Sequence, residues 1–238
     1  MLPRVLEPET LDHLAPDDPV AQRSRRDLRR VNAFMGARRI LARAMARALA
    51  DAPARPLRIL ELGCGDGRLM LEVARHRGDR WPDARLDLLD RQPIVDATTI
   101  AAYAAAGWQA RTVIADVMAW AGDDDGERWD VVVANLFLHH FDAESLGRLL
   151  AACARRADAL AACEPRRSRF ALAASHLIFF LGANAVTRND GVLSVRAGFV
   201  DRELSATWPD EPGAWRLEEY DDGLFTHCLV AARRGRPS

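Results

Sequence analysis

Residues 59–68 read ILELGCGDGR. An apolar run carrying one acid, Glu61, breaks into three glycines at alternate positions, Gly63, Gly65 and Gly67. A short apolar run bounded by glycine predicts a strand buried on both faces. The residues that follow have helical apolar spacing, so a helix is expected over about 68–77. At such a junction a ligand can lie directly on the backbone. The glycines remove side chains, and the helix N-terminus offers free N–H groups and positive dipole.

The pattern repeats on both sides of this stretch. LRILEL (57–62), ARLDLLD (84–90), QARTVIAD (109–116), RWDVVVANLFL (128–138) and DALAACE (158–164) read as strands. Helices are expected between them, including 93–106 and 142–157, the latter capped by Asp142. Alternating strands and helices imply an α/β fold with a doubly wound, mostly parallel sheet covered on both faces. WRLEEYDD (215–222) and LFTHCLVAARR (224–234) are strand-like and separated by Asp-Gly. They predict an antiparallel hairpin at the sheet edge, giving seven strands in all. Before the sheet, residues 1–55 are helical in pattern and rich in arginine, with Asp18-Pro19 as a helix start. The organisation is therefore a helical extension or lid over 1–55 and a domain over 56–238, with an apolar lid insertion over 165–212. Within the insertion FALAASHLIFFLGANAVT (170–187) carries no formal charge. His176, Gly182 and Asn184 interrupt it, so it is read as a buried helix and not a membrane span.

Composition narrows the function. Of 238 residues 49% are hydrophobic, enough for a proper core. The formal net charge is −1, which excludes a polycation built to coat nucleic acid. Every basic residue is arginine, which together with the abundant alanine reads as coding bias. Cys64, Cys153, Cys163 and Cys228 have no metal-binding spacing, so no metal is expected and the thiols are read as reduced, in a cytoplasmic protein. The first ten residues lack the apolar core of a signal peptide.

Which ligand the glycines serve follows by comparison of motifs. A phosphate-binding P-loop needs Lys and Ser/Thr after the glycines, and neither is present. The dinucleotide fingerprint would place its third glycine at Arg68. LELGCGDG instead resembles the first motif of class I S-adenosylmethionine-dependent methyltransferases, and the resemblance extends over about 57–234. It implies that Glu61, Gly63, Cys64, Gly65 and Gly67 line a site for S-adenosylmethionine. Asp90, with Arg91, would bind the ribose hydroxyls. Asp116 and Val117 would meet the adenine, and Asn135 would stand near the methyl donor.

The acceptor side is read from ANLFLHHF (134–141). The Asn/Asp-Pro-Pro-aromatic motif of enzymes that methylate nucleobase or glutamine nitrogen is absent. His139 and His140 stand there, as in small-molecule branches of the family acting on natural products or quinones. Either histidine is a candidate base, with His140 slightly preferred. His176, Phe179 and Phe180 are expected to line an apolar acceptor pocket. The implied reaction is methyl transfer to a small hydrophobic, oxygen-bearing aromatic or polyketide- or quinone-like acceptor, at oxygen rather than carbon. Two alternatives stand beside it: an RNA or protein methyltransferase using the arginine-rich N-terminal helix, and a cofactor-binding scaffold without catalysis. No specific nucleic acid partner is favoured.

Overall fold

The chain forms a seven-stranded sheet ordered β3-β2-β1-β4-β5-β7-β6. The structure is a computed structural model and describes residues 2–52, 55–76, 81, 83–123, 126–176, 182–209 and 211–235. Strands β1 (Leu57–Leu62), β2 (Ala84–Asp90), β3 (Trp108–Ile114), β4 (Val131–Asn135) and β5 (Ala159–Pro165) are parallel. β6 (Trp215–Asp222) and β7 (Thr226–Arg233) form the expected antiparallel hairpin, and β7 pairs antiparallel with β5.

Strand periodicity divides the core into two layers. Leu57 and Ile59 pack on one face with Leu86, Leu88, Val131 and Val133. Leu60 and Leu62 pack on the other with Leu89, Val132, Ala134 and Leu160. Because β1 faces helices on both sides, its sequence is apolar without alternation. Helices α2 (Ala37–Ala48), α3 (Arg68–Arg75) and α4 (Ala97–Ala105) cover the first face through Leu41, Met45, Met70, Val73 and Tyr103. Helices α5 (Val117–Gly122) and α6 (Ala143–Arg156) cover the second through Trp120, Leu149 and Leu150.

Within the expected extension over 1–55, α2 packs directly on the sheet. What stands outside the core is α1 (Pro19–Met35) and the strap before it. α1 buries only Ala21, Ser24 and Asp27. Its start is as expected: Asp18 accepts hydrogen bonds from the amides of Val20 and Ala21, and Pro19 occupies the first turn.

The apolar stretch 170–187 does not form one buried helix. α7 (Arg169–Ser175) ends there, and Phe170 is 57% exposed. Gly182 has φ 76°, and Asn184 accepts a hydrogen bond from Thr187 N at 2.8 Å to start α8 (Ala185–Ala197). A short polar side chain that captures a backbone N–H begins a new helix instead of continuing the old one. Phe179 and Phe180 lie outside the described residues. Among the described residues no helix is long and apolar enough to cross a membrane.

Candidate active site

The strand order reverses between β1 and β4, and the crevice at their carboxyl ends is where ligands bind in such sheets. The glycine turn sits there. Cys64 N donates to Leu89 O, Gly65 N donates to Asp90 Oδ2 at 2.9 Å, and Tyr103 Oη donates to Gly67 O at 2.6 Å. Gly63 has φ 62°, and a Cβ on it would lie 2.1 Å from the Phe137 ring. Gly65 has φ 56°, but a Cβ there would meet no atom within 4 Å. The first glycine is thus required by packing, while the second borders open space. Gly67 caps α3. Cys64 is buried, and burial, reinforced by Glu61 and Asp90, pushes its thiol far above the usual range, so it packs and does not react.

Two acids give the turn its chemistry. Glu61 is 4% exposed, and its Oε2 has no hydrogen-bond partner among the described residues. Burial, then the charges of Asp66 and Asp90, push its carboxyl up to about 8. An orphaned buried oxygen calls for a missing cation or donor. Asp90 accepts from Gly65 N and Gln92 N, one on each oxygen, both at 2.9 Å. Burial raises its pKa in spite of those bonds. Each carboxylate oxygen keeps a lone pair, so a vicinal diol can still donate to both. Asp116 follows β3 and is exposed; its Oδ1 caps α5 through Met118 N at 2.8 Å and Ala119 N at 3.1 Å, while Val117 is buried. An ammonium-seeking acid, a diol-seeking acid and an apolar shelf fit an adenosyl amino acid.

The other half of the site follows β4. Asn135 is half-buried at the strand end and pairs with Cys163. Leu136 has φ 52°, a left-handed conformation for a side-chain-bearing residue, secured by Leu136 N donating to Cys163 O at 2.8 Å. Glu164, fully buried near the end of β5, organises the loop. Its Oε1 accepts from Phe137 N and Leu138 N, at 3.1 and 2.9 Å, and its Oε2 from His139 N and Nδ1, at 3.3 and 2.8 Å. His139 Nε2 faces Glu9 Oε1 at 3.3 Å. Burial opposes its charge, yet the two carboxylates raise its pKa to about 9. Burial likewise works against ionised Glu9, but hydrogen bonds from His139 and His140 outweigh it and hold that carboxyl well below its usual range. His140 is less enclosed. Its Nδ1 donates to Phe137 O at 2.9 Å, and its Nε2 lies 3.5 Å from Glu9 and 3.6 Å from Asp12.

The N-terminal strap bridges the two halves. Glu9 meets the end of β4, while Asp12 O and Leu14 O accept from Arg91 and Gln92 just past β2. Since β1 lies between β2 and β4, residues 9–14 cross above the glycine turn. Thr10 N and Leu11 N donate to Asp190 of α8, at 3.0 and 2.9 Å, and Arg4 donates to the carbonyls of Ala197, His139 and Phe141. α1 closes over the same turn through Arg25 to Gln92 at 3.0 Å and Arg29 to Asp66 at 2.6 Å. Arg43 and Arg47 of α2 pair with Asp222 and Glu218. These four arginines are engaged inside the chain, which removes much of the basic face that an RNA reading needs. Of the expected acceptor residues, His176 is exposed at the end of α7.

Sequence reading missed Glu9, Glu164 and Tyr103. Glu164 had a signal, since it is an acid near the end of a buried strand, like Glu61. Glu9 had none, because 130 residues separate it from His139.

Residues 59–158 match the family model of a methyltransferase domain. Trans-aconitate 2-methyltransferase of Streptomyces avermitilis is 34% identical over 90 residues, and that of Streptomyces coelicolor 36% over 90 residues. Each alignment spans 37% of this chain but only 31% and 27% of those relatives. The plantazolicin methyltransferase BpumL, solved with SAH, superposes with a TM-score of 0.65 over 92% of each chain at 13% identity. Plantazolicin methyltransferase BamL gives 0.59 at 11% identity, over 88% of this chain and 90% of that one. Residues 59–158 are thus similar to a methyltransferase domain, and the chain shares the fold of solved methyltransferases.

Proposed function

We propose that the chain binds S-adenosylmethionine over the glycine turn and transfers its methyl group to a small, hydrophobic, oxygen-bearing acceptor, at oxygen rather than carbon. The observation that carries the reading is the orphaned, fully buried Glu61 Oε2 beside the open backbone at Gly65. Bound there, the cofactor supplies a methyl group on a positively charged sulfonium. Glu61 answers the ammonium of its amino-acid tail, through water or directly. Asp90 accepts the ribose hydroxyls, and Asp116 and Val117 border the adenine. Phe137, pressed on Gly63, forms the wall between this half and the histidine loop.

A small acceptor is supported by the strap. Residues 9–14 and α1 cover the turn and are tied to Arg91, Gln92 and Asp66, so a polymer would have to displace them. The same cover excludes water and aligns donor with acceptor, which supplies much of the acceleration in an in-line transfer. At the acceptor end, His139 has both nitrogens committed to carboxylates. In its neutral form, with the Nδ1 proton on the Phe137 carbonyl, His140 presents an Nε2 lone pair that can take a proton from the acceptor oxygen. The cytoplasmic placement is also a proposal. Cys163 and Cys228 Sγ atoms stand 3.7 Å apart across paired strands as free thiols, as in a reducing compartment.

Labelled-cofactor transfer to a panel of phenols, quinols and small carboxylic acids, with tRNA alongside, tests the reading. Methylation of a small acceptor supports it. Methylation of tRNA alone, with an affinity that falls steeply with salt, overturns it.

A further inference from the structure

Glu9, His139 and His140 converge with geometry that an ion pair does not require. One ligand atom from each of the three residues, a ring nitrogen or a carboxylate oxygen, lies within 4.8 Å of the other two. His139 Nε2 stands 3.3 Å from Glu9 Oε1, and His140 Nε2 stands 3.5 Å from Glu9 Oε2. Two ligands bonded at 2.0–2.1 Å to a tetrahedral ion stand about 3.3 Å apart. Each ring is also oriented from behind. His139 Nδ1 donates to Glu164 at 2.8 Å, and His140 Nδ1 donates to the Phe137 carbonyl at 2.9 Å. A histidine that ligates a metal through one nitrogen typically has the other fixed in this way, by a carboxylate or a backbone carbonyl. The buried Glu164 accepts three further bonds from the amides of Phe137, Leu138 and His139, so the loop presenting both rings is rigid before any ion arrives.

We propose that Glu9, His139 and His140 form a three-residue site for a divalent transition-metal ion of the zinc type, between the strap and the end of β4. Two imidazoles and one carboxylate suit zinc or its first-row neighbours and suit magnesium or calcium poorly. Three protein ligands leave a position open. Asp12, 3.6 Å from His140 Nε2, borders the same side. Resting on the reading of the site as a methyltransferase centre, the open position would hold an oxygen of the acceptor and fix its orientation toward the methyl group. His140 Nε2 then serves as a ligand in the metal-bound enzyme and as a base only without the ion. The strap that brings Glu9 would be fastened by the ion as well.

The test uses the full chain stripped with a chelator, then titrated with Zn2+ against a chromophoric competitor and, separately, with Co2+. The expected result is one equivalent of Zn2+ bound, with the visible d–d bands of a low-coordinate Co2+ site. His140→Ala and Glu9→Gln should each weaken Zn2+ binding by roughly tenfold or more. His76→Ala, altering an exposed histidine outside the cluster, should not. Melting curves of the ion-free proteins establish that the variants are folded; His140, at the edge of the cluster, is the safer of the two rings to remove. No stoichiometric binding, or equal binding by wild type and His140→Ala, overturns the proposal. SAH binding is read on the same samples. SAH bound without Zn2+ sinks the metal site alone, and Zn2+ bound without SAH sinks the cofactor reading alone.

Discussion

Glu61 and Glu164 are both buried glutamates next to the last residue of a parallel strand, on either side of β4. Their surroundings are opposite. Glu164 accepts four hydrogen bonds and orders the loop after β4. Glu61 has an oxygen with no partner and a carboxyl pushed up to about 8. The satisfied acid is architecture, and the unsatisfied one is the residue proposed to meet the cofactor's ammonium. A buried polar group that costs stability persists where something outside the chain completes it.

Substitutions should separate the two roles by sign. Glu164→Ala is expected to have the largest effect, because four donors, two of them on the buried His139, lose their acceptor together. Chemical denaturation should show a loss of about 3–5 kcal/mol. Near-normal stability would mean that the loop is held by something else. Gly63→Ala comes next, combining a left-handed backbone with a Cβ driven into Phe137. A loss of about 2–4 kcal/mol is expected, against about 1 kcal/mol for Gly65→Ala, which meets open space and should instead impair cofactor binding.

Glu61→Gln should act in the reverse direction on the apo protein. A neutral amide replaces a carboxyl that is ionised in the unfolded chain near neutral pH and must take up a proton to be buried, so stability there is expected to hold or rise. Cofactor binding should weaken by about 2–3 kcal/mol by calorimetry. Asp90→Ala should weaken cofactor binding by about 1.5–3 kcal/mol through loss of the ribose bonds, without the stability gain.

The same acid sets a pH dependence. Glu61 has a folded-state pKa near 8, above its usual carboxylate value. The proton it holds therefore favours the fold fully at acid pH, below the unfolded value. That contribution fades as pH rises and is gone above about 8. The effect should be on the order of 4 kcal/mol between pH 4 and 8, visible as a declining apo melting temperature that Glu61→Gln flattens.

Much of the cofactor half was legible in the sequence, because its signals are local. Alternating glycines, an apolar run and acids at strand ends report a turn and its flanking acids within a few residues. β1, β2 and β6 appear with the bounds expected from sequence, and the sheet order places Asp90 and Gly65 in hydrogen-bond contact. The acceptor half was read only in part. LHHF drew attention to His139 and His140, but their partners Glu9 and Glu164 come from distant segments, and no spacing links them. The stretch 170–187 misled for a related reason. Its apolar composition suggested one helix, while the side chain of Asn184 decided where α8 begins. Asn184 N also donates to Asp27 of α1 at 2.9 Å, so the residue that breaks the apolar stretch also fastens the lid. The expectation of no metal rested on cysteine spacing, and that argument is silent about histidines and acids brought together by folding.

The most direct test is calorimetric titration of the full chain with SAH at pH 7 in two buffers of different ionisation enthalpy, repeated with Glu61→Gln. The account predicts that the wild type binds and releases a proton, since Glu61 is protonated when its partner is absent and ionised beside the ligand's ammonium. The variant should bind more weakly and release none. Failure to bind SAH at millimolar concentration, preference for NAD, or binding by both proteins with the same proton count would contradict it.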